Sequence, residues 1–156
     1  MKKEKNNLLI VKILKNKCKG YIPSKYKITK WAKTSFFGKK HSIVSIKIAT
    51  KNEISILNKK FFKKNITCNI LSFPHNSLIS SGEYILGDII ICADVVNKES
   101  TKYKINNDNR WAHMVIHSML HLQGYAHHIN EKKIIMEKKE INLMNILGYQ
   151  NPYYAN

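Results

Sequence analysis

WAHMVIHSMLHLQGYAH, residues 111–127, is the stretch on which the fold turns. Trp111, Met114, Val115, Met119 and Leu122 recur there at three- and four-residue intervals, which predicts a helix over Asn109–Gln123 with one face in the core. Gly124 can take left-handed backbone angles, so it ends the helix and reverses the chain. His117 and His121 lie one turn apart on one helical face, about 6 Å along the axis, and both rings can reach a single ion. The glycine turn brings His127 round as a third ligand. Three protein nitrogens with a fourth position open describe a catalytic zinc site, whereas four ligands close a structural one.

Two other histidines compete for the site. His113 is one turn before His117, but two turns, about 12 Å, from His121, so both cannot bind one ion directly. His128 adjoins His127, and spacing alone separates those two only weakly. The H-x-x-x-H-x-x-G-x-x-H spacing matches that of the metzincin peptidases. Ser118 stands where their catalytic glutamate would be, and a serine hydroxyl is no general base near neutral pH. The spacing supports a zincin-like metal geometry and does not support ordinary peptide hydrolysis.

Outward from this helix, the chain reads as alternating short strands and helices. Leu8–Leu14 is an apolar opening strand, and Lys25–Ser35 a short helix with Tyr26, Ile28 and Trp31 as core contacts. SIVSIKIA (42–49) is β-branched and predicts a strand. Lys51–Phe62 carries Ile54, Leu57, Asn58 and Phe61 at helical spacing. Asn69–Phe73 reads as a strand stopped by Pro74, followed by a mobile loop over residues 75–86. GDIIIC (87–92) reads as a strand buried on both faces, Ala93–Lys102 as a helix, and Glu131–Leu147 as a final amphipathic helix ended by Gly148. The whole is a single α+β domain over residues 1–156, a small mixed sheet packed with helices.

Composition bounds the rest. With 44% hydrophobic residues the chain can close a core, and no apolar run approaches a membrane span. Lysines precede an apolar stretch at the start, as in a secretory leader. Lys12 interrupts that stretch and no small-residue cleavage site follows, so a cytoplasmic location is expected. Cys18, Cys68 and Cys92 are odd in number and unpaired in spacing, which suits reduced thiols. A formal charge of +17 suggests RNA as an anionic partner. Nearly every basic residue is lysine, however, and an AT-rich genome produces the same bias.

The histidine segment resembles the hallmark of the YbeY family of bacterial rRNA-maturation endoribonucleases, H-G-x-L-H-L-x-G-Y-D-H. LNKKFFKKNITCNILSFP (57–74), LGDIIIC (86–92) and MEKKEINLMNILGYQNPY (136–153) resemble further family segments in the same order. The resemblance runs from about residue 42 to 154. It implies one zinc ion on His117, His121 and His127, and a metal-activated water that hydrolyses RNA phosphodiesters. It further implies a zinc-dependent, single-strand-specific endoribonuclease in small-subunit rRNA 3′-end maturation and ribosome quality control. The ribosomal small subunit and an Era-type GTPase are the implied partners.

Three positions depart from the family pattern. Phe62 stands at its usual arginine, Ala126 at its usual aspartate, and Ser118 at its glycine. Lys63 is then the candidate to steady charge in catalysis, and Lys59, Lys60 and Lys64 are candidates to hold RNA, although lysine lacks arginine's bidentate fork. The loss of the aspartate removes a carboxylate that could orient a ligand. A weakened or non-catalytic zinc-binding assembly factor is therefore the alternative, with a zincin-like peptidase behind it. Ser72 and His75 are further contacts beside the cleft strand, more simply a strand-end hydroxyl and a solvated imidazole. Asp88 is expected to bond backbone N–H groups, Asn69 to be structural, and Trp31, Trp111 and Phe73 to be core.

Overall fold

Runs of β-branched residues build the sheet at the centre of the molecule, whose computed structural model describes residues 8–153. The lysine-rich start, on which the leader reading rests, lies outside the described residues. Strands β1 (Leu9–Lys15), β2 (Ser42–Ala49), β3 (Ile70–Leu78) and β4 (Tyr84–Cys92) stand in the order β1-β2-β4-β3. β1 and β4 both run parallel to β2, while β3 is antiparallel to β4 and forms one edge. A parallel pair needs a crossover, and helix α1 (Lys25–Thr34) supplies it between β1 and β2.

One face of the sheet carries the main core. Val44, Ile46, Ile48, Ile89 and Ile91 are fully buried there with residues of α1, α3 (Ala93–Lys102), α4 (Asn107–Leu122) and α5 (Asn130–Ile146). Helix α2 (Lys51–Phe62) covers the other face over a smaller cluster of Ile54, Leu71 and Cys92. The mixed sheet and its helices are the α+β fold expected. Helix ends are satisfied locally: Thr50 and Glu53 close a capping box on α2, and Asn106 caps α4 through the Asp108 N–H at 2.8 Å.

Several local expectations are corrected. β3 does not stop at Pro74 but continues to Leu78. An edge strand tolerates a missing N–H, and the ladder slips register between Pro74 and Ser77. The expected loop is instead largely the β3–β4 hairpin, closed by bonds from Ile79 N to Glu83 O and from Gly82 N to Ile79 O, both 2.9 Å. β4 is not buried on both faces, because α2 leaves Asp88 and Ile90 half-exposed. Tyr26 is 75% exposed and no core contact, whereas Ile28 and Trp31 are buried. Helix α5 departs most from the apolar-in pattern: Ile134 and Ile135 face solvent while Glu140 is 1% exposed.

Gly87 ties this architecture to the end of α4. Its φ is +156°, and a Cβ there would lie 2.4 Å from the Phe73 carbonyl oxygen and 2.8 Å from Leu122 Cδ2. Only glycine lets β3, β4 and the end of α4 approach this closely.

Candidate metal centre

His117 and His121 project from the C-terminal half of α4, which is otherwise sunk in the core. Gly124 takes φ +97°, its N–H donates to His121 O at 3.1 Å, and Tyr125 N–H donates to Leu120 O at 3.0 Å. This closes the helix and swings His127 back toward the pair. The three rings have centroid separations of 4.5, 5.3 and 4.7 Å, and one nitrogen from each lies within 4.8 Å of the others. His128 is exposed and outside this group.

Hydrogen bonding decides which nitrogens face the centre. His117 Nδ1 lies 3.3 Å from Glu140 Oε2, and His121 Nδ1 lies 3.1 Å from the Tyr125 carbonyl oxygen. A carboxylate and a carbonyl can only accept, so both Nδ1 atoms carry the proton. In the neutral imidazoles Nε2 is then the lone pair offered to a cation, and the two Nε2 atoms face each other at 3.1 Å. Two unprotonated nitrogens in that arrangement repel unless a cation sits between them. Tetrahedral zinc with bonds of about 2.0–2.1 Å spaces its nitrogens by roughly 3.3 Å, so these residues fit the ion. Burial, then the neighbouring His117 and His127, push the His121 imidazole down to about 4; burial and His117 lower His127 as well. His121 is thus neutral at pH 7 and free to bind metal.

Glu140 is the site residue that sequence reading missed. Burial alone would raise its carboxyl, but bonds from His113 and His117 outweigh that and hold it at about 2. His113 Nε2 donates to Oε2, and Tyr153 Oη donates to Oε1 at 2.9 Å. The second possible ion group, His113, His117 and Glu140, is therefore consumed by its own hydrogen bonds. His113 supports the site without joining it. Burial depresses its basicity against the pull of Glu140, and Arg110 Nη1 approaches its Nδ1 at 3.4 Å. A carboxylate does orient His117 here, from α5 and not from position 126. Glu140 stands one turn from Met136, Leu143 and Met144, the buried face of α5, and that spacing was the available signal.

The triad opens on a cleft of about 480 Å³ that wraps the free edge of β3, with Asn58, Phe62, Lys64 and Ile66 on one side and the histidines on the other. Of the four candidate lysines, Lys64 lines it. Lys63 caps α2 in the left-handed conformation, Lys60 lies 5.3 Å from the Phe61 ring, and Lys59 sits in the last turn of α2. Phe62 is 46% exposed and packs on Phe73 with centroids 5.8 Å apart. Ser72 and Asn69 also line the cleft, and Asn69 reaches Glu99 at 3.4 Å. Asp88 bonds the His75 imidazole at 2.8 Å, not backbone N–H groups, so His75 is not simply solvated. Ser118 is fully buried within α4 and cannot serve the cleft as a base. Trp31 and Trp111 are core as expected, the latter donating to Asn97 Oδ1 at 2.7 Å. All three cysteines are free, and burial raises each thiol.

Comparison with known proteins gives a consistent picture. A family model described as Endoribonuclease YbeY matches residues 13–148. Endoribonuclease YbeY of Buchnera aphidicola subsp. Schizaphis graminum is 41% identical over 155 residues, covering 97% of each chain. That of Wigglesworthia glossinidia brevipalpis is 43% identical over 138 residues, covering 85% of this chain and 88% of its own. The solution structure of a Thermotoga maritima protein shares the fold at a TM-score of 0.52 and 20% identity, covering 89% of this chain and 92% of that one.

Proposed function

The chain belongs to the endoribonuclease YbeY family, and from that premise we propose that it is a zinc-dependent, single-strand-specific endoribonuclease acting on the 3′ end of small-subunit rRNA. The observation that carries the reading is the pair of Nε2 atoms at 3.1 Å, with His127 beside them, at the wall of an open cleft. When bound there, zinc supplies a Lewis acid for a phosphoryl oxygen and acidifies a water toward a pKa of about 7.

The chain's own residues do the rest. Glu140 and the Tyr125 carbonyl fix the tautomers of His117 and His121, so their lone pairs are aimed before any ion arrives. Lys64 brings positive charge to the cleft beside them, where it offsets charge developing on a phosphate. Phe62 replaces a phosphate-holding side chain with an exposed ring on Phe73, a surface suited to an unpaired base. The +17 charge supports an RNA substrate. The ribosomal small subunit and an Era-type GTPase are the proposed partners, in ribosome maturation and quality control. A cytoplasmic site of action is proposed with them; no helix among the described residues is long and apolar enough to cross a membrane.

The test is cleavage of an rRNA 3′-end precursor by the purified protein, with and without chelator, beside His117→Ala. Cleavage confined to unpaired RNA and lost on either treatment supports the proposal. Equal cleavage by wild type and variant refutes it.

A further inference from the structure

Past Pro74 a second groove of about 700 Å³ opens between the α1–β2 connection and the end of α4. Phe37, Lys39 and Lys40 form one wall, Asn76 and Tyr84 come from the hairpin, and Tyr125 comes from the turn after α4. On both walls its lining residues are close neighbours in sequence of those that line the metal cleft. The cleft ends at Pro74 and His127, and the groove takes up at Asn76 and Tyr125, two residues away in each case. The register slip between Pro74 and Ser77, with Asn76 at φ +48°, turns the strand at that junction.

The groove is a built surface. Gln123, one residue past the metal helix, accepts from Phe37 N–H at 2.9 Å and donates to the Ser35 carbonyl at 2.7 Å. That clamps the lysine-bearing loop to the helix that carries His117 and His121. Phe37 is 43% exposed, and Lys39 and Lys40 are both exposed. Among the described residues no carboxylate lines the groove. Aromatic rings interleaved with lysines and free of acids match a single-stranded polyanion, whose phosphates take the charge while its bases stack.

We infer that this groove holds the single-stranded RNA flanking the scissile bond, with Lys39 and Lys40 on phosphates and the exposed Phe37 against a base. The inference rests on the RNA reading above and extends it to where the strand runs after leaving the metal.

Binding of labelled single-stranded RNA, a trinucleotide and a dodecanucleotide, is measured by anisotropy in chelator across a salt series. Wild type is compared with Lys39→Ala/Lys40→Ala, and with Lys98→Ala/Lys102→Ala, two exposed lysines of α3, as a control of equal charge. The groove variant is expected to bind the dodecanucleotide about tenfold more weakly at low salt, with its log–log salt slope reduced by about 1.4. It should match wild type on the trinucleotide and in metal content, and the control should match wild type throughout. Unchanged dodecanucleotide affinity in the groove variant overturns the inference, as does an equal loss in the control. If those lysines govern capture of poly-glutamate and not of RNA, the groove takes an acidic protein and the inference fails. If wild type binds neither RNA, the RNA reading itself fails and the groove assignment goes with it.

Discussion

Replacing Glu140 by glutamine keeps the shape of the side chain and removes its charge. Glu140 is 1% exposed and accepts bonds from His113, His117 and Tyr153. Its carboxyl is held at about 2 against an ordinary 4.5, which corresponds to about 3 kcal/mol at roughly 1.4 kcal/mol per pH unit. Independently, hydrogen bonds to a charged group contribute about 1.5–3 kcal/mol each before the cost of burying the carboxylate is set against them. Because the amide keeps part of these contacts, the loss for Glu140→Gln is about 2–3 kcal/mol at pH 7, or about 5–10 °C in Tm for a domain of this size. The sign follows from the depression: the stabilisation is fully present above 4.5 and fades as pH falls toward 2, so the two melting temperatures converge in acid. Because His117 also loses its orienting partner, metal affinity should fall about 10–100-fold. Thermal melts of metal-free protein and titration against a competing chelator measure the two effects. A variant that melts with wild type at pH 7 and binds metal equally would refute the reasoning.

Other perturbations probe the frame and the cleft. Gly87→Ala places a methyl 2.4 Å from a backbone oxygen, so urea denaturation should show at least about 2 kcal/mol of destabilisation; a loss under 0.5 kcal/mol would contradict the packing described. Bonds from Asn16, Thr50 and Lys47 hold the Glu53 carboxyl down at about 2 against its burial. Stability from Glu53 is therefore present above 4.5 and lost as pH falls toward 2, and Glu53→Gln should flatten the acid-unfolding profile in that window. Phe62→Arg should raise cleavage of single-stranded RNA several-fold by adding a bidentate phosphate contact, without changing metal content; activity at or below wild type would mean that the exposed ring itself serves substrate.

What the sequence disclosed, and what it hid, follows from where the forces act. Helix α4 was legible because its apolar spacing, its glycine stop and its two histidines all obey local rules, and Gly124 takes the left-handed angle that the turn requires. Pro74 misled because a proline's cost depends on whether its strand is an edge, and strand order is set by tertiary pairing. Glu140 was hidden in MEKKE, a stretch that reads as a solvated helix face. Its burial arises only when α5 packs on α4 and two histidines meet its carboxylate. Ala126 was read as a lost supporting charge, and the carboxylate that does meet His117 comes from another helix.

The central claim is that His117, His121 and His127 together hold one metal ion, and metal analysis of purified protein tests it most directly. Wild type should carry one zinc per chain, as should His128→Ala, while His117→Ala, His121→Ala and His127→Ala should each lose it on dialysis. Full zinc retained in His121→Ala, or zinc lost in His128→Ala but kept in His127→Ala, would contradict the account.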